Sequence, residues 1–213
     1  MGATPSTYSI PIVPKLTVWG LLTAIGAGAI FGLTAWVFTT LTHQISGYFA
    51  ARIAYPPLRP CAGGILVAIA IALLGTTKYV GLGIPTIVSA FTTQLPPWDF
   101  AAKIGFTALS LGAGFKGGEV TPLFYIGATL GNAIAPVTIL PPPLLAGMGF
   151  VAVFAGAANT PLTATLMAIE LFGVPAGLYA GIVCICSYLC SGHGGMYRAQ
   201  RVSVSKYSSR QDS

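Results

Sequence analysis

From Val18 to about Phe49 the chain is one long apolar run, VWGLLTAIGAGAIFGLTAWVFTTLTHQISGYF. It exceeds the roughly 20 residues that carry a helix across a bilayer. It must therefore tilt or extend past the membrane. The rest of the chain cannot shield such a run from water. Only 7% of the 213 residues are Asp, Glu, Lys or Arg, against 54% apolar, and the mean hydropathy is +0.81. Soluble domains carry roughly 25% charged residues. The 27 glycines and 16 prolines follow no collagen period. A membrane allows only helices or a closed barrel, because every backbone polar group must be satisfied internally. The apolar stretches are continuous rather than alternating, which selects helices. The fold class read from the sequence is an all-α polytopic membrane protein.

Charge and cysteine narrow the functions. The net charge is +6. Four basic residues (Arg198, Arg201, Lys206 and Arg210) stand in a Ser-rich tail. They form no aromatic-interleaved basic domain, so nucleic acid is not a partner. By the positive-inside rule they place the C-terminus in the cytoplasm. Cys184, Cys186 and Cys190 lack zinc spacing and lie in an apolar segment, where cysteine is a small hydrophobe. No metal or cofactor is expected. Met1 to Pro14 lacks the basic and apolar regions of a signal peptide. Three regions follow: a polar N-terminal segment 1–15, a membrane domain 16–204 and a polar basic tail 205–213.

Within the membrane domain, prolines and glycines cut the chain into short pieces. In the first run, Gly20, Gly26, Gly28 and Gly32 recur at helical intervals, which suits close approach of another helix. Tyr55 to Pro60 breaks that helix. Further apolar pieces are expected at 62–74, 86–91, 100–114, 119–135, 144–157, 162–172 and 176–189, with a last short helix from Met196 to about Val204. Several are too short to span a bilayer. Helix ends at mid-depth are tolerated only where they are buried in protein or line an aqueous cavity. Interrupted helices there point to an ion or substrate site.

The stretch Gly112-Ala-Gly-Phe-Lys-Gly-Gly-Glu119-Val-Thr-Pro122 carries the chemistry. Pro122 suits the first turn of a helix, where its missing N–H costs little. Gly117 and Gly118 let backbone approach a ligand. Glu119, Val120 and Thr121 present the first unpaired N–H groups, which together with the helix dipole favour an anion. An ionised Glu119 repels that anion, whereas a protonated one donates a hydrogen bond to it. Burial and a neighbouring anion raise a carboxyl's pKa and the helix end lowers it, so Glu119 is a candidate proton carrier or gate. Its plain alternative is a helix cap. Lys116 stands near the mouth, where it also reads as a snorkelling interfacial lysine.

Gly117-Gly-Glu-Val-Thr-Pro122 resembles the signature of the CLC chloride channel and transporter family, in the version of its fluoride-exporting branch. Phe154-Ala-Gly-Ala-Ala-Asn-Thr-Pro-Leu162 with Met167-Ala-Ile-Glu-Leu-Phe-Gly173 resembles the paired helices after the site. Ser191-Gly-His-x-Gly-x-Tyr197 resembles the start of the last helix. The resemblance runs from about Leu16 to Gln200. It implies the C-terminal half of an inverted repeat with tilted and re-entrant helices. It implies backbone N–H groups of Gly118 to Val120 facing an anion, Tyr197 O–H donating to it, and Glu119 and Thr121 at the positions that mark fluoride/proton antiport. Fluoride is small and strongly hydrated, so strong donors must replace its water. The implied ligands are fluoride or chloride and protons, the implied assembly is a homodimer in a lipid bilayer, and the implied location is the bacterial inner membrane. The homodimer face would include the long first helix, the next one and the pair around 161–190.

Only the family's second half is matched. Nothing reads Gly-Arg-Glu-Gly, and Gly81-Leu-Gly-Ile-Pro85 reads as a structural break. The chain is expected to need a first half, and alone neither to transport nor to stay well folded. Saturable fluoride efflux from liposomes holding the chain alone would overturn this. An intramembrane enzyme is excluded by the lack of a Gly-x-Ser-x-Gly motif, with Asp99 placed in a loop after Pro97-Trp98. Glu170, His43 and the three tryptophans read as interfacial or packing residues. His193 reads as a positioning residue near Tyr197.

Overall fold

The computed structural model describes Tyr8, residues 10–192 and residues 194–196. The predicted last helix, His193, Tyr197 and the basic tail fall outside the described residues, apart from Gly194 to Met196. Eight α-helices occur among the described residues. They are α1 (Val18–Arg52), α2 (Leu58–Leu74), α3 (Ile84–Ala90), α4 (Asp99–Gly112), α5 (Val120–Ile134), α6 (Pro142–Ala158), α7 (Pro161–Phe172) and α8 (Val174–Cys190). A 3-10 turn, Ala135–Val137, follows α5. No strand occurs among the described residues, and the all-α fold is as the sequence indicates.

α1 holds 35 residues, about 50 Å at 1.5 Å per residue. Thr17 starts it by accepting a hydrogen bond from Gly20 N–H, 3.1 Å away. The 17 residues of α2 make about 25 Å, short of the roughly 30 Å hydrocarbon layer. α2 begins four residues before the expected Ala62 because Pro60 lies inside its first turn, where a proline displaces no helical hydrogen bond. Pro85, Pro143, Pro161 and Pro175 likewise stand in first turns. Asp99 is not in a loop: it opens α4 and is fully buried.

The core is built on α6. Every residue from Leu144 to Ala158 is buried except the half-buried Phe154, as suits a helix that is apolar on all sides. α5 runs antiparallel to it, with Phe124 stacked on Phe150 at 4.1 Å between ring centroids. Further along, Gly127 meets the backbone of Gly149, and Gly131 meets that of Leu145. On the other side, α8 packs on both α6 and α1. Gly28 and Gly32 of α1 face Cys186 and Cys190, and a Cβ on Gly28 would stand 2.6 Å from that of Cys186. Gly20 joins this face at Tyr179, whereas Gly26 opens onto empty space and is not part of the expected stripe. The α8 cysteines thus serve as packing residues.

The opposite faces are apolar and uncovered. Leu22, Leu33 and Trp36 of α1, Leu73 of α2 and Leu166 of α7 are exposed. Water does not tolerate such a surface and lipid does. Trp19 and Trp98 are exposed too, while His43 is half-buried and Glu170 is exposed in the last turn of α7.

Asn132 ties α5 to the loop after α3. Its amide donates to Ala90 O (2.9 Å) and Thr93 O (2.8 Å), and its Oδ1 accepts from Leu95 N–H (2.9 Å). Asn132→Leu leaves those backbone groups unpaired, at about 1–3 kcal/mol for each that stays buried. A clear fall in thermal midpoint in detergent is the expected result.

Candidate functional site

α5 starts without a side-chain cap. Glu119 is its N-cap residue, yet the carboxyl makes no cap hydrogen bond. The N–H groups of the first turn are therefore left without side-chain partners. Gly117 and Gly118 are exposed, Glu119, Val120 and Thr121 are half-buried, and Pro122 is buried in the first turn. A Cβ on Gly117 or Gly118 would meet nothing within 4 Å, and neither glycine has a positive φ. Packing and backbone strain do not demand glycine at either position. What glycine supplies there is a backbone accessible from outside the helix bundle.

This turn borders a cavity of about 220 Å³ lined by Gly117, Gly118, Pro122, Lys103, Tyr79 and Gly81, among others. α4 supplies Lys103 from one side. The loop between α2 and α3 supplies the carbonyls of Tyr79 and Gly81 from another. Gly81 and Gly83 take left-handed φ of 71° and 70°, which bends this loop against α5. A side chain at Gly83 would collide with the Tyr125 ring, whose Cδ2 lies 2.6 Å from an added Cβ. The predicted break at Gly81 to Pro85 is therefore a shaped wall of the cavity.

Beside the cavity lies a buried charge cluster that the sequence reading missed. Asp99 accepts from the Lys78 ammonium on one carboxylate oxygen and from Tyr79 O–H (2.8 Å) on the other. Lys103, one turn along α4 and 1% exposed, donates to Tyr79 O (3.0 Å) and Gly81 O (2.6 Å). Its ammonium also lies 4.9 Å from the Tyr125 ring centroid. Lys116 is exposed and does not line the cavity. The cation nearest the turn is Lys103. The signal was present in the sequence as an acid and a base four residues apart on an apolar helix. Asp99→Ala removes the carboxylate that both Lys78 and Tyr79 use. A loss of about 3 kcal/mol is expected, read as a lower unfolding midpoint.

The far side of the site is reached through α6. Because α5 and α6 are antiparallel, the end of α6 lies level with the start of α5. Met196 N–H donates to Ala157 O there at 2.9 Å. The chain leading to Tyr197 thus returns to the level of Glu119, although Tyr197 itself is outside the described residues. Asn159 and Thr160, at the same end, hold buried side-chain polar atoms with no partner among the described residues.

Short helices, uncovered apolar faces and a bare helix N-terminus on a charged cavity define an integral membrane protein with an anion-type site. Residues 1–192 match the family described as voltage gated chloride channel, and the chain belongs to that CLC family of channels and transporters. It is 53% identical over 212 residues to a chloride/fluoride channel protein of Pseudomonas syringae pv. tomato, covering 97% of this chain and 47% of that protein. It is 28% identical to an H(+)/Cl(-) exchange transporter of Vibrio vulnificus, covering 87% of this chain and 42% of the other. Among solved structures, a CLC-type fluoride/proton antiporter superposes with a TM-score of 0.85 at 31% identity, over 89% of this chain and 48% of that one. A slow cyanobacterial Cl-/H+ antiporter shares the fold, with a TM-score of 0.73 at 22% identity. The chain spans about half the length of the curated relatives it matches, from 41% to 50% of each.

Proposed function

We propose that this chain is the anion-binding C-terminal half of a CLC-type fluoride/proton antiporter that exports fluoride across the bacterial inner membrane. The observation that carries the reading is the uncapped start of α5, opening through two unconstrained glycines onto a cavity that Lys103 lines. In this reading the N–H groups of Gly118, Glu119 and Val120 hold the anion, Thr121 shapes its surroundings, and Tyr197 donates a hydroxyl from the segment that follows Met196. Glu119 carries the proton. A carboxyl that makes no cap is free to turn between the anion and the cavity.

The chain works with a first half of the fold. That half covers the exposed turn at Gly117 and Gly118 and closes the ion path, since open helix ends facing lipid cost several kcal/mol each. The assembled unit forms a homodimer through exposed apolar faces. The membrane domain spans 16–204, flanked by the polar segments 1–15 and 205–213. The names of the fluoride relatives, at the highest identities quoted, favour fluoride over chloride.

The test is flux. Liposomes holding the chain assembled with a first half are loaded with fluoride, and external fluoride and pH are followed together. Fluoride efflux with stoichiometric proton uptake supports the reading. Chloride movement in preference to fluoride moves the assignment to a chloride antiporter. Fluoride movement with no proton movement makes it a channel.

A further inference from the structure

The charge cluster beside the cavity does not balance. Two ammonium groups, Lys78 and Lys103, share one carboxylate, Asp99. Lys78 takes that carboxylate directly, and Tyr79 O–H takes its second oxygen. Lys103 is left with two backbone carbonyls and an aromatic face. No carboxylate pairs with it among the described residues. A full positive charge that is 1% exposed is costly in an apolar interior unless an anion neutralises it. Its surroundings argue against a purely structural lysine. Both carbonyls that hold the ammonium belong to residues lining the cavity, and Lys103 lines it too. Across the same cavity lie Gly117, Gly118 and Pro122, where the α5 turn exposes its backbone. The cavity, at about 220 Å³, has room for a halide with several waters.

We propose that Lys103 is an anion-binding residue, the fixed charge of a second halide position in the cavity between α4 and the Gly117-Gly118 turn. The clamp of Tyr79 O and Gly81 O stops the ammonium from swinging onto the α5 turn and trapping the anion there. An anion entering the cavity meets one charge-assisted donor and then passes to the N–H groups of α5. Asp99 acts through its neighbours as a positioning residue, because it anchors the loop whose carbonyls hold Lys103. This inference rests on the transport reading for the identity of the anion. The binding itself is measurable without transport.

The test is calorimetric titration of sodium fluoride into the purified assembled protein, alongside efflux from liposomes. Lys103→Met is expected to weaken fluoride binding and raise the half-saturating fluoride concentration, each by about tenfold, the scale of one lost charge-assisted contact. The maximal rate is expected to stay near that of the native protein, and Lys103→Arg is expected to restore affinity. Unchanged affinity in Lys103→Met overturns the proposal, as does a fall in maximal rate alone, which marks a structural lysine. If Lys103→Met yields no monodisperse protein, Ser110→Asp is read instead. Ser110 lines the same cavity, and a carboxylate there competes for the ammonium. Weaker fluoride binding in Ser110→Asp supports the proposal and unchanged binding overturns it. A native protein that binds fluoride through Lys103 but moves none refutes the transport reading while leaving this one standing.

Discussion

Glu119→Gln is expected to abolish proton coupling in the assembled transporter. The amide matches the carboxyl in shape and still donates a hydrogen bond, so an anion at the α5 turn keeps its contact. It cannot release or take up a proton near neutral pH. Fluoride-driven proton movement therefore falls to the level of empty liposomes, while fluoride still binds. The fold gives a further check. Glu119 makes no cap hydrogen bond, so its replacement removes no helix-end contact. Stability is expected to change by no more than about 0.5 kcal/mol, as for substitutions that touch no packed or hydrogen-bonded feature. Normal proton coupling in the Glu119→Gln variant means that the proton runs through another group.

Gly127→Leu is expected to have the largest effect on folding. Gly127 meets the carbonyl of Gly149, and Gly149 meets that of Gly127, so the α5 and α6 backbones are in direct contact there. A side chain has no rotamer that avoids a neighbouring backbone. Overpacking a core usually costs about 1–3 kcal/mol because side chains can shift. Here whole helices must part, and with them the stack of Phe124 on Phe150. The expected result is loss of monodisperse protein on size exclusion in detergent. Gly26→Leu serves as the control, since nothing lies within 4 Å of an added Cβ there, and it is expected to behave as the native chain. Equal behaviour of the two variants contradicts the packing described.

The glycines of α1 show what the sequence could and could not disclose. Residue spacing marked Gly20, Gly26, Gly28 and Gly32 alike, and only the neighbouring helix separates Gly26 from the rest. Helix starts were harder to read than helix bodies. Pro60, Pro161 and Pro175 look like breaks, and each lies within a first turn, where the missing N–H has no helical partner to lose. The α5 turn was legible because everything it needs is local: two glycines, an acid and a proline in six consecutive residues. The cavity in front of it was not. Lys103 is held by carbonyls 24 and 22 residues earlier in the chain, on a loop whose path depends on left-handed glycines and on Asp99. Asp99 itself follows Pro96, Pro97 and Trp98 and so read as a loop residue, although its burial and both of its partners come from the fold.

The most direct measurement is made on the amide hydrogens themselves. The assembled transporter, with 15N at glycine, glutamate and valine, is titrated with sodium fluoride and followed by 1H–15N spectra. The account predicts that the amides of Gly118, Glu119 and Val120 shift saturably, and that a scalar coupling to 19F appears across the hydrogen bond at one or more of them. Saturable fluoride transport with these three amides unmoved, and the response elsewhere in the chain, would contradict it.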